Sequence, residues 1–353
     1  MKILMVASSL PPDRWSGAGR ALRDLWGQAR RHHEVRLVTG WWRDRAALPP
    51  DLTAVAMAGP AGPRAQAALA AAVWSEARRF RPELVLSGSV VLPPLSAPVV
   101  LATHDLRLPQ GGAAAALRAR AFGALARRAR AVVTTSVGSA ADLTALGLPS
   151  SLVRVVPGAV DLEHFHPVAR AADPARPLSV LCAGRVMPAK GQHLAIDAVA
   201  RLDRERKGRV RLTIAGAVVD PVYLDQLRVQ AWGQPVDFVL DPPLLAPHLQ
   251  AADIVLLPSI AESGFCTTAV EAMACGAPVI WSDRPATREA VGGVGQAFPP
   301  GDVDALRAAL RRWIDAPDER AAAARLGHAH AVGNNGWDSV WPRWEEVLAA
   351  AAR

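Results

Sequence analysis

The segment Glu262–Pro278 carries the residue types best suited to chemistry, with two glutamates, two glycines and two adjacent threonines. The apolar runs Asp253–Pro258 and Pro278–Trp281 on either side are typical of buried strands. A strand, a glycine-bearing turn, a helix and a second strand indicate a parallel α/β unit. Because a helix N-terminus presents N–H groups and a partial positive charge, we expect this turn to seat a phosphate. Glu271 would then receive a hydroxyl donor such as a ribose.

The same residues have a purely structural interpretation. Thr268 and Glu271 have the spacing of a capping box, in which Thr268 is the N-cap and Glu271 reaches back to its N–H. The spacing alone favours the cap, since helix starts are far commoner than ligand sites.

A second glycine-bearing segment lies near the N-terminus. The strand predicted at Lys2–Ala7 is followed by a predicted loop, Ser8–Gly19, and then by apolar residues at helical spacing. Gly17 and Gly19 match the start of the dinucleotide-binding fingerprint, whose third glycine is missing. These two glycines are consistent with either a phosphate-binding loop or a flexible turn.

One histidine follows a predicted strand. His104 comes directly after Val99–Thr103, and parallel sheets bind ligands beyond the carboxyl ends of their strands. A structural histidine is the alternative interpretation.

The composition describes a globular protein with more than one core. The chain has 353 residues, of which 51% are hydrophobic and 20% charged, and this length predicts two domains. The formal charge is +8, supplied almost wholly by arginine, since only Lys2, Lys190 and Lys207 are lysines. This charge favours acidic partners, either phosphate-bearing substrates or an anionic membrane surface. No nucleic-acid partner is expected, because no recognition motif accompanies the charge.

The cysteines and the apolar stretches suggest the compartment. Cys182, Cys266 and Cys275 form no CxxC motif, so we expect neither a metal site nor a disulfide framework. Free cysteines indicate a reducing compartment such as the cytoplasm. The N-terminal apolar run is too short for a signal peptide, and prolines interrupt residues 84–102. We therefore expect a cytoplasmic protein, with peripheral attachment to the inner face of the membrane as an alternative. Arginines and apolar residues on the predicted helix Ala113–Ala131 suit an anionic membrane or, equally, a solvated helix packed by its apolar side.

Strand-length apolar runs alternate with helical periodicity along the whole chain, which predicts an α/β fold with two Rossmann-like domains whose parallel sheets face a central cleft. The domains are expected at residues 1–165 and 166–336, with Pro167–Pro177 as the linker. A final helix, 337–353, has a tryptophan-rich face and is expected to pack back on the first domain. Further strands are predicted at Glu34–Thr39, Glu83–Ser87, Val132–Thr135, Leu178–Ala183, Val210–Ala215 and Val236–Leu240, and further helices at Ala65–Phe80, Val222–Trp232 and Leu244–Ala251.

Several segments, taken in order, resemble the retaining family 4 glycosyltransferases of the GT-B fold. The likeness covers nearly the whole chain and is strongest in Glu271–Val279, which matches the family's most diagnostic block. The other matching segments are Lys2–Leu25, Arg31–Thr39, Thr103–Leu106, Val156–Asp161 and the Gly-Arg…Lys-Gly loop Gly184–Gly191.

This resemblance implies a nucleotide-diphosphate sugar as donor and co-substrate, held chiefly by the second domain. Arg185 and Lys190 would neutralise the departing diphosphate, so no divalent metal and no other cofactor is expected. Glu271 would hold the ribose, and His104 would lie near the transferred sugar. Gly17 and Gly19 would let the backbone approach the diphosphate or the acceptor. The turn residues expected to contact the donor are Ser263, Gly264, Phe265, Cys266 and Thr267.

The chain departs from the family pattern in this turn. Seven residues usually separate the two glutamates of the motif, whereas eight lie between Glu262 and Glu271, which puts Ser263 at the usual position. Either Glu262 reaches the sugar through a bulged turn or Ser263 occupies the site. Cys266 also replaces a usual glycine.

These sequence features suggest three functions. The leading one is a retaining glycosyltransferase that uses a UDP- or GDP-sugar and an unidentified acceptor hydroxyl, in envelope glycan, glycolipid or natural-product assembly. The altered turn motivates the alternative of a nucleotide-sugar binding protein without transferase activity. An NAD-dependent dehydrogenase is disfavoured, because Thr39 and Gly40 stand where that fold needs an acidic residue.

Overall fold

A computed structural model describes most of the chain. The described residues are 1–7, 17–40, 52–54, 63–89, 92–103, 122–169, 176–205, 208–242, 244–261 and 264–353.

The described residues form two compact units. Unit 1 comprises Met1–Gly158 and Val340–Arg353, and unit 2 comprises Ala159–Ser339. The boundary therefore lies at Gly158–Ala159, earlier than the expected position after residue 165. The chain returns to unit 1 within its last helix.

Unit 1 is built around a parallel sheet of seven strands among the described residues, in the order β3-β2-β1-β4-β5-β6-β7. Its strands are β1 (Lys2–Ala7), β2 (Glu34–Thr39), β3 (Leu52–Ala54), β4 (Leu84–Ser87), β5 (Val99–Thr103), β6 (Ala131–Thr134) and β7 (Val153–Val155). Its helices include α1 (Gly17–His32), α2 (Pro63–Phe80), α3 (Val137–Ala145) and most of α11 (Trp337–Ala352), and residues 122–126 are the described end of a further helix. A 3-10 turn lies at Ser150–Leu152.

Unit 2 has a parallel sheet of six strands in the order β10-β9-β8-β11-β12-β13. Its strands are β8 (Leu178–Ala183), β9 (Val210–Gly216), β10 (Val236–Leu240), β11 (Ile254–Leu257), β12 (Val279–Ser282) and β13 (Gln296–Phe298). Its helices are α4 (Gln192–Glu205), α5 (Pro221–Gln230), α6 (Ala246–Ala251), α7 (Thr267–Ala274), α8 (Pro285–Val291), α9 (Val303–Asp315) and α10 (Pro317–Asn335). A 3-10 turn lies at Pro188–Lys190.

The central strands of both sheets are buried on both faces, which explains why they are continuous apolar runs. All four residues of β4, β11 and β12 are buried. Helices on each side complete the core. In α9 the Asp302 carboxylate caps the first turn by accepting from the Ala305 N–H at 2.8 Å, and the side chains from Leu306 to Ile314 that face the sheet are buried. The α/β fold with two Rossmann-like domains is thus confirmed.

Two predicted element boundaries are wrong. Helix α1 begins at Gly17, so Gly17 and Gly19 lie in its first turn and not in a loop. The helix predicted to run to Ala131 ends at residue 126, where a turn leads into β6. The first part of that prediction, residues 113–121, lies outside the described residues.

Candidate functional site

The order of the strands in unit 2 marks a position for ligand binding. Successive strands run from β8 through β9 to β10 on one side, and from β11 through β12 to β13 on the other. Strand order therefore reverses between β8 and β11, and open parallel sheets bind ligands beyond the carboxyl ends of such strands. The loop 184–191 follows β8 and the turn leading to α7 follows β11, so both candidate segments flank this switch point.

The loop after β8 is fixed at its start by backbone contacts. The Gly184 N–H donates to the Ala215 carbonyl at 2.9 Å, and the Val186 N–H donates to the Ala217 carbonyl at 2.8 Å. Arg185 lies between these two anchors and is half-buried. Its guanidinium is therefore carried on a backbone that β9 and the residues after it hold in place.

Gln192 supports Arg185 from the other end of the loop. Its side-chain Nε2 donates to the Arg185 carbonyl oxygen at 2.9 Å, and the residue is only 1% exposed. Gln192 is not among the site residues predicted from the sequence. A polar residue at the first position of an otherwise apolar helix face would have been the signal.

The two candidate segments are joined to each other. The Ala189 carbonyl oxygen, in the 3-10 turn, accepts from the Ile260 N–H at 2.9 Å and from the Ala261 N–H at 3.2 Å. Gly191 follows with φ +69°, and a Cβ on it would lie 2.0 Å from the Pro258 carbonyl oxygen. The loop that carries Lys190 therefore lies directly against the chain that leaves β11.

The turn before α7 is compact and buried. Gly264 has φ +86° and is buried, as is Cys266, the N-cap residue. The side chain of the N-cap residue makes no capping hydrogen bond, and the Ala269 N–H donates to the Cys266 carbonyl at 3.1 Å, which closes the first turn. The predicted capping box is therefore wrong, because Thr268 lies inside the helix and is not its N-cap. Thr267, its first residue, and Phe265 are half-buried.

Glu271 lies one turn into α7 and is a buried carboxylate, 6% exposed. Its effect is visible on a neighbour: burial, and after it the Glu271 carboxylate, raise the pKa of the Cys275 thiol to about 12. Buried carboxylates are costly, so the position of Glu271 indicates a role beyond solubility.

Lys190 adds positive charge near the carboxyl end of β8. Burial raises the pKa of the Cys182 thiol to about 12, and the nearby Lys190 ammonium opposes this rise. The electrostatic influence of Lys190 thus extends to the last residues of the strand. The switch point of unit 2 combines two cations, a helix N-terminus and a buried carboxylate.

The remaining predicted site residues lie elsewhere. His104, Glu262 and Ser263 fall outside the described residues, so the choice between Glu262 and Ser263 is untouched. In unit 1, α1, which begins with Gly17 and Gly19, follows β1, and β1 neighbours β4 at the corresponding switch point. A Cβ on Gly88, just after β4, would lie 2.3 Å from a methyl group of Leu22, so α1 packs closely on that strand end.

The described ranges hold neither a candidate metal site nor a candidate membrane span. His, Cys, Asp and Glu side chains there nowhere gather in a group of three or more that suits a metal ion. None of the helices in that part of the chain combines the length and apolar character that a membrane span needs.

The chain matches two protein families in consecutive segments. Residues 15–164 match the family described as Glycosyltransferase Family 4, and residues 177–316 match Glycosyl transferases group 1. The second match contains the loop after β8, the turn after β11 and Glu271.

Curated relatives point in the same direction. The chain is 34% identical over 232 residues to a D-inositol 3-phosphate glycosyltransferase of Pseudarthrobacter chlorophenolicus, covering 59% of this chain and 53% of that one. It is 32% identical over 235 residues to a glycogen synthase of Mycobacterium tuberculosis, covering 65% and 56%. The chain thus spans little more than half the length of these curated relatives.

Solved structures share the fold along the whole chain. HepE of Anabaena, solved with UDP and glucose, superposes with a TM-score of 0.79 at 23% identity and covers 99% of this chain and 100% of its own. Sucrose-phosphate synthase of Thermosynechococcus elongatus has a TM-score of 0.81 at 21% identity and covers 99% and 98%. With both halves matched to glycosyltransferase families and the fold shared throughout, the chain belongs to the group 1 glycosyltransferases of the GT-B fold.

Proposed function

We propose that this protein transfers a sugar from a UDP- or GDP-sugar to an acceptor hydroxyl, with retention of configuration at the sugar. The observation that carries the proposal is the junction at Ala189, whose carbonyl oxygen ties the Arg185–Lys190 loop to the chain leaving β11. That junction sets two cations and the N-terminus of α7 at the same switch point.

The chemistry of the donor explains why cations are needed there. As the bond to the sugar breaks, negative charge develops on the departing nucleoside diphosphate. Arg185 and Lys190 would stabilise that charge, and the partial positive charge at the start of α7 would add to it. Gln192 would keep the Arg185 backbone in position through its 2.9 Å hydrogen bond. In this scheme the protein's own cations take the place of a divalent metal.

Glu271 would bind the ribose of the donor. A ribose presents neutral hydroxyl donors, and an ionised carboxylate is an acceptor-only group that can receive two of them. Forming these hydrogen bonds would compensate the cost of burying the carboxylate, which is 6% exposed.

The similar proteins support a nucleotide-sugar donor but do not identify the nucleotide-sugar that this chain uses. HepE was solved with UDP-glucose, and one relative from Mycolicibacterium hassiacum is a mannosyltransferase. These two proteins are associated with different sugars, glucose and mannose, and the identities to them are modest. The proposal therefore covers the donor class and leaves the acceptor as a hydroxyl compound.

The test compares two variants in donor binding and donor hydrolysis. Lys190→Ala removes a cation from the proposed diphosphate site, at the carboxyl ends of the strands. Arg209→Ala removes an exposed cation just before β9, at the amino ends of the strands. We expect UDP or GDP at ~100 times its Kd to stabilise the wild type by about 2.7 kcal/mol. Lys190→Ala should lose most of this stabilisation and of the hydrolysis, and Arg209→Ala should keep both.

Two outcomes would contradict the proposal. If no uridine, guanosine or adenosine diphosphate stabilised the protein, the site would not be a nucleotide site. If nucleotide-sugars bound tightly but were neither hydrolysed nor transferred, the chain would be a binding protein of the same fold.

A further inference from the structure

Helix α5 of unit 2 has an apolar outer face. Its inner side is ordinary, because Tyr223, Leu224 and Leu227 are buried in the core of the unit. On the opposite side Val222 is 69% exposed and Val229 is 77% exposed. These positions are seven residues apart, so the two valines lie above each other on one stripe of the helix.

The apolar surface continues beyond both ends of the helix. Trp232, in the turn that follows α5, is 87% exposed, and Val219, just before the helix, is half-exposed. Surface helices normally carry polar residues opposite their buried face. An exposed apolar stripe that ends in a tryptophan is the kind of surface that marks a protein–protein contact.

The polar residues between the two valines are Asp225, Gln226 and Arg228, and the two charged ones form a pair. The Arg228 Nη1 donates to the Asp225 Oδ1 at 3.2 Å, and both side chains are more than half exposed. One acid and one base leave this face with no net charge, which disfavours an anionic membrane as its occupant.

The residue spacing fits a second copy of the same helix. When two α5 helices pack antiparallel about a two-fold axis, Val222 of one copy faces Val229 of the other. Val219 lies three positions before Val222 and Trp232 three positions after Val229, beyond the two ends of the helix, so this register brings the Val219 end of one copy beside the Trp232 end of the other. In this register Asp225 of one copy also comes within reach of Arg228 of the other. The face is therefore complementary to itself in both apolar contact and charge.

We infer that the outer face of α5 is the interface of a homodimer with two-fold symmetry. The exposed apolar side chains amount to a patch on the order of 300–600 Å² per copy. A stable interface buries about 800 Å² per partner, so the apolar stripe with its polar rim forms a reversible dimer. The proposal is independent of the transferase activity.

The experiment measures association by sedimentation velocity over a range of protein concentrations, with a charge exchange across the interface. Asp225→Arg sets two arginines against each other in the dimer, and Arg228→Asp sets two aspartates against each other. Each variant alone should weaken association at least tenfold. An equimolar mixture of the two variants should dimerise again, because the arginine introduced at position 225 of one chain then faces the aspartate introduced at position 228 of the other.

A second variant pair tests the apolar contact. Val229→Glu should also abolish the dimer, whereas Leu326→Glu, which changes an apolar residue of α10 that is 62% exposed, should leave it unchanged. Thermal unfolding of every variant is the control for retention of the fold. The inference is overturned if the wild type sediments as a monomer at every concentration, if a dimer forms that these variants do not alter, or if the mixture fails to restore it.

Discussion

At the scale of single residues, Gly191 shows how a backbone requirement positions the proposed donor loop. Its φ of +69° lies in the left-handed region, and the missing side chain lets the loop approach the Pro258 carbonyl. Gly208 has a similar φ of +75°, but a Cβ there would meet nothing within 4 Å. The two glycines therefore separate the cost of the dihedral angle from the cost of the contact.

We predict that Gly191→Ala is much more destabilising than Gly208→Ala. The substitution at Gly208 should cost about 1–2 kcal/mol, which is the expense of a left-handed backbone. Gly191→Ala should cost at least ~2 kcal/mol more, because its Cβ overlaps a carbonyl oxygen that belongs to the backbone. Urea denaturation measures both values. Equal losses would show that the loop can move away from Pro258 without penalty.

The residues of the proposed site differ in how far the sequence predicts them. Arg185 and Lys190 follow a strongly apolar strand and precede a periodic helix, so their place at a strand end is readable. Gln192 is not readable in this way, because its role depends on where the Arg185 carbonyl points after the loop has folded. The occupant of the first acidic position, Glu262 or Ser263, depends on the path of a turn, and no local propensity determines that path.

At the scale of elements, strands β8 and β11 are joined at their start by an ionic clamp. Arg176 binds Asp253 through two hydrogen bonds of 2.7 and 2.8 Å, and the Asp253 Oδ2 also accepts from the Ser179 N–H at 2.8 Å. The Asp253 side chain is 8% exposed. This clamp holds together the two strands whose far ends carry the proposed donor site.

We predict that Asp253→Asn destabilises the protein by about 2 kcal/mol, because the side chain at this position is buried, loses its charge and turns an amide N–H group towards a donor. The control is Asp237→Asn. Asp237 forms a comparable pair with Arg211, but both side chains are over 40% exposed, and the loss should be much smaller. Chemical denaturation of both variants tests the difference. Similar losses would mean that burial adds nothing to the clamp.

Strands were easier to predict than helix starts, for a physical reason. A strand buried on both faces has to be largely apolar, so β1, β5 and β8 were predicted with their observed bounds. Helix starts depend on tertiary contacts. Because glycine has a low helix propensity, the sequence predicted a loop that extends to Gly19. In the structure Gly19 is buried, and α1 begins at Gly17 and packs on the strand end at Gly88. Likewise α7 begins at Thr267, just after the turn that contains Gly264, and the capping-box spacing of Thr268 and Glu271 does not set its start.

At the scale of the whole molecule, the last helix of the chain completes the first unit. The ring of Trp341 stacks on His32 at 4.9 Å, and Trp341, Trp344 and Leu348 are buried. Beside this stack the His33 Nε2 lies 2.9 Å from the Glu345 Oε1. Helix α1 and helix α11, which are far apart in sequence, therefore share an aromatic and ionisable contact.

This contact makes the stability of unit 1 depend on pH. Burial lowers the pKa of the His33 imidazole below its ordinary value of 6.5, and the opposing effect of the Glu345 carboxylate does not restore it. A lowered pKa means that the folded state favours the neutral ring. The corresponding stability is fully present above about pH 6.5 and is lost as the pH falls towards the folded-state pKa.

We predict that His33→Gln removes this dependence. As the pH falls from about 7.5 to about 5, the free energy of unfolding of the wild type should decrease relative to that of the variant. The control is His166→Gln, which changes an exposed histidine of unit 2 and should follow the wild type at every pH. Urea titrations across the pH range measure the differences. If the wild type instead gained stability over His33→Gln in acid, the Glu345 carboxylate would outweigh the desolvation of His33, and the contact would act as an ordinary salt bridge.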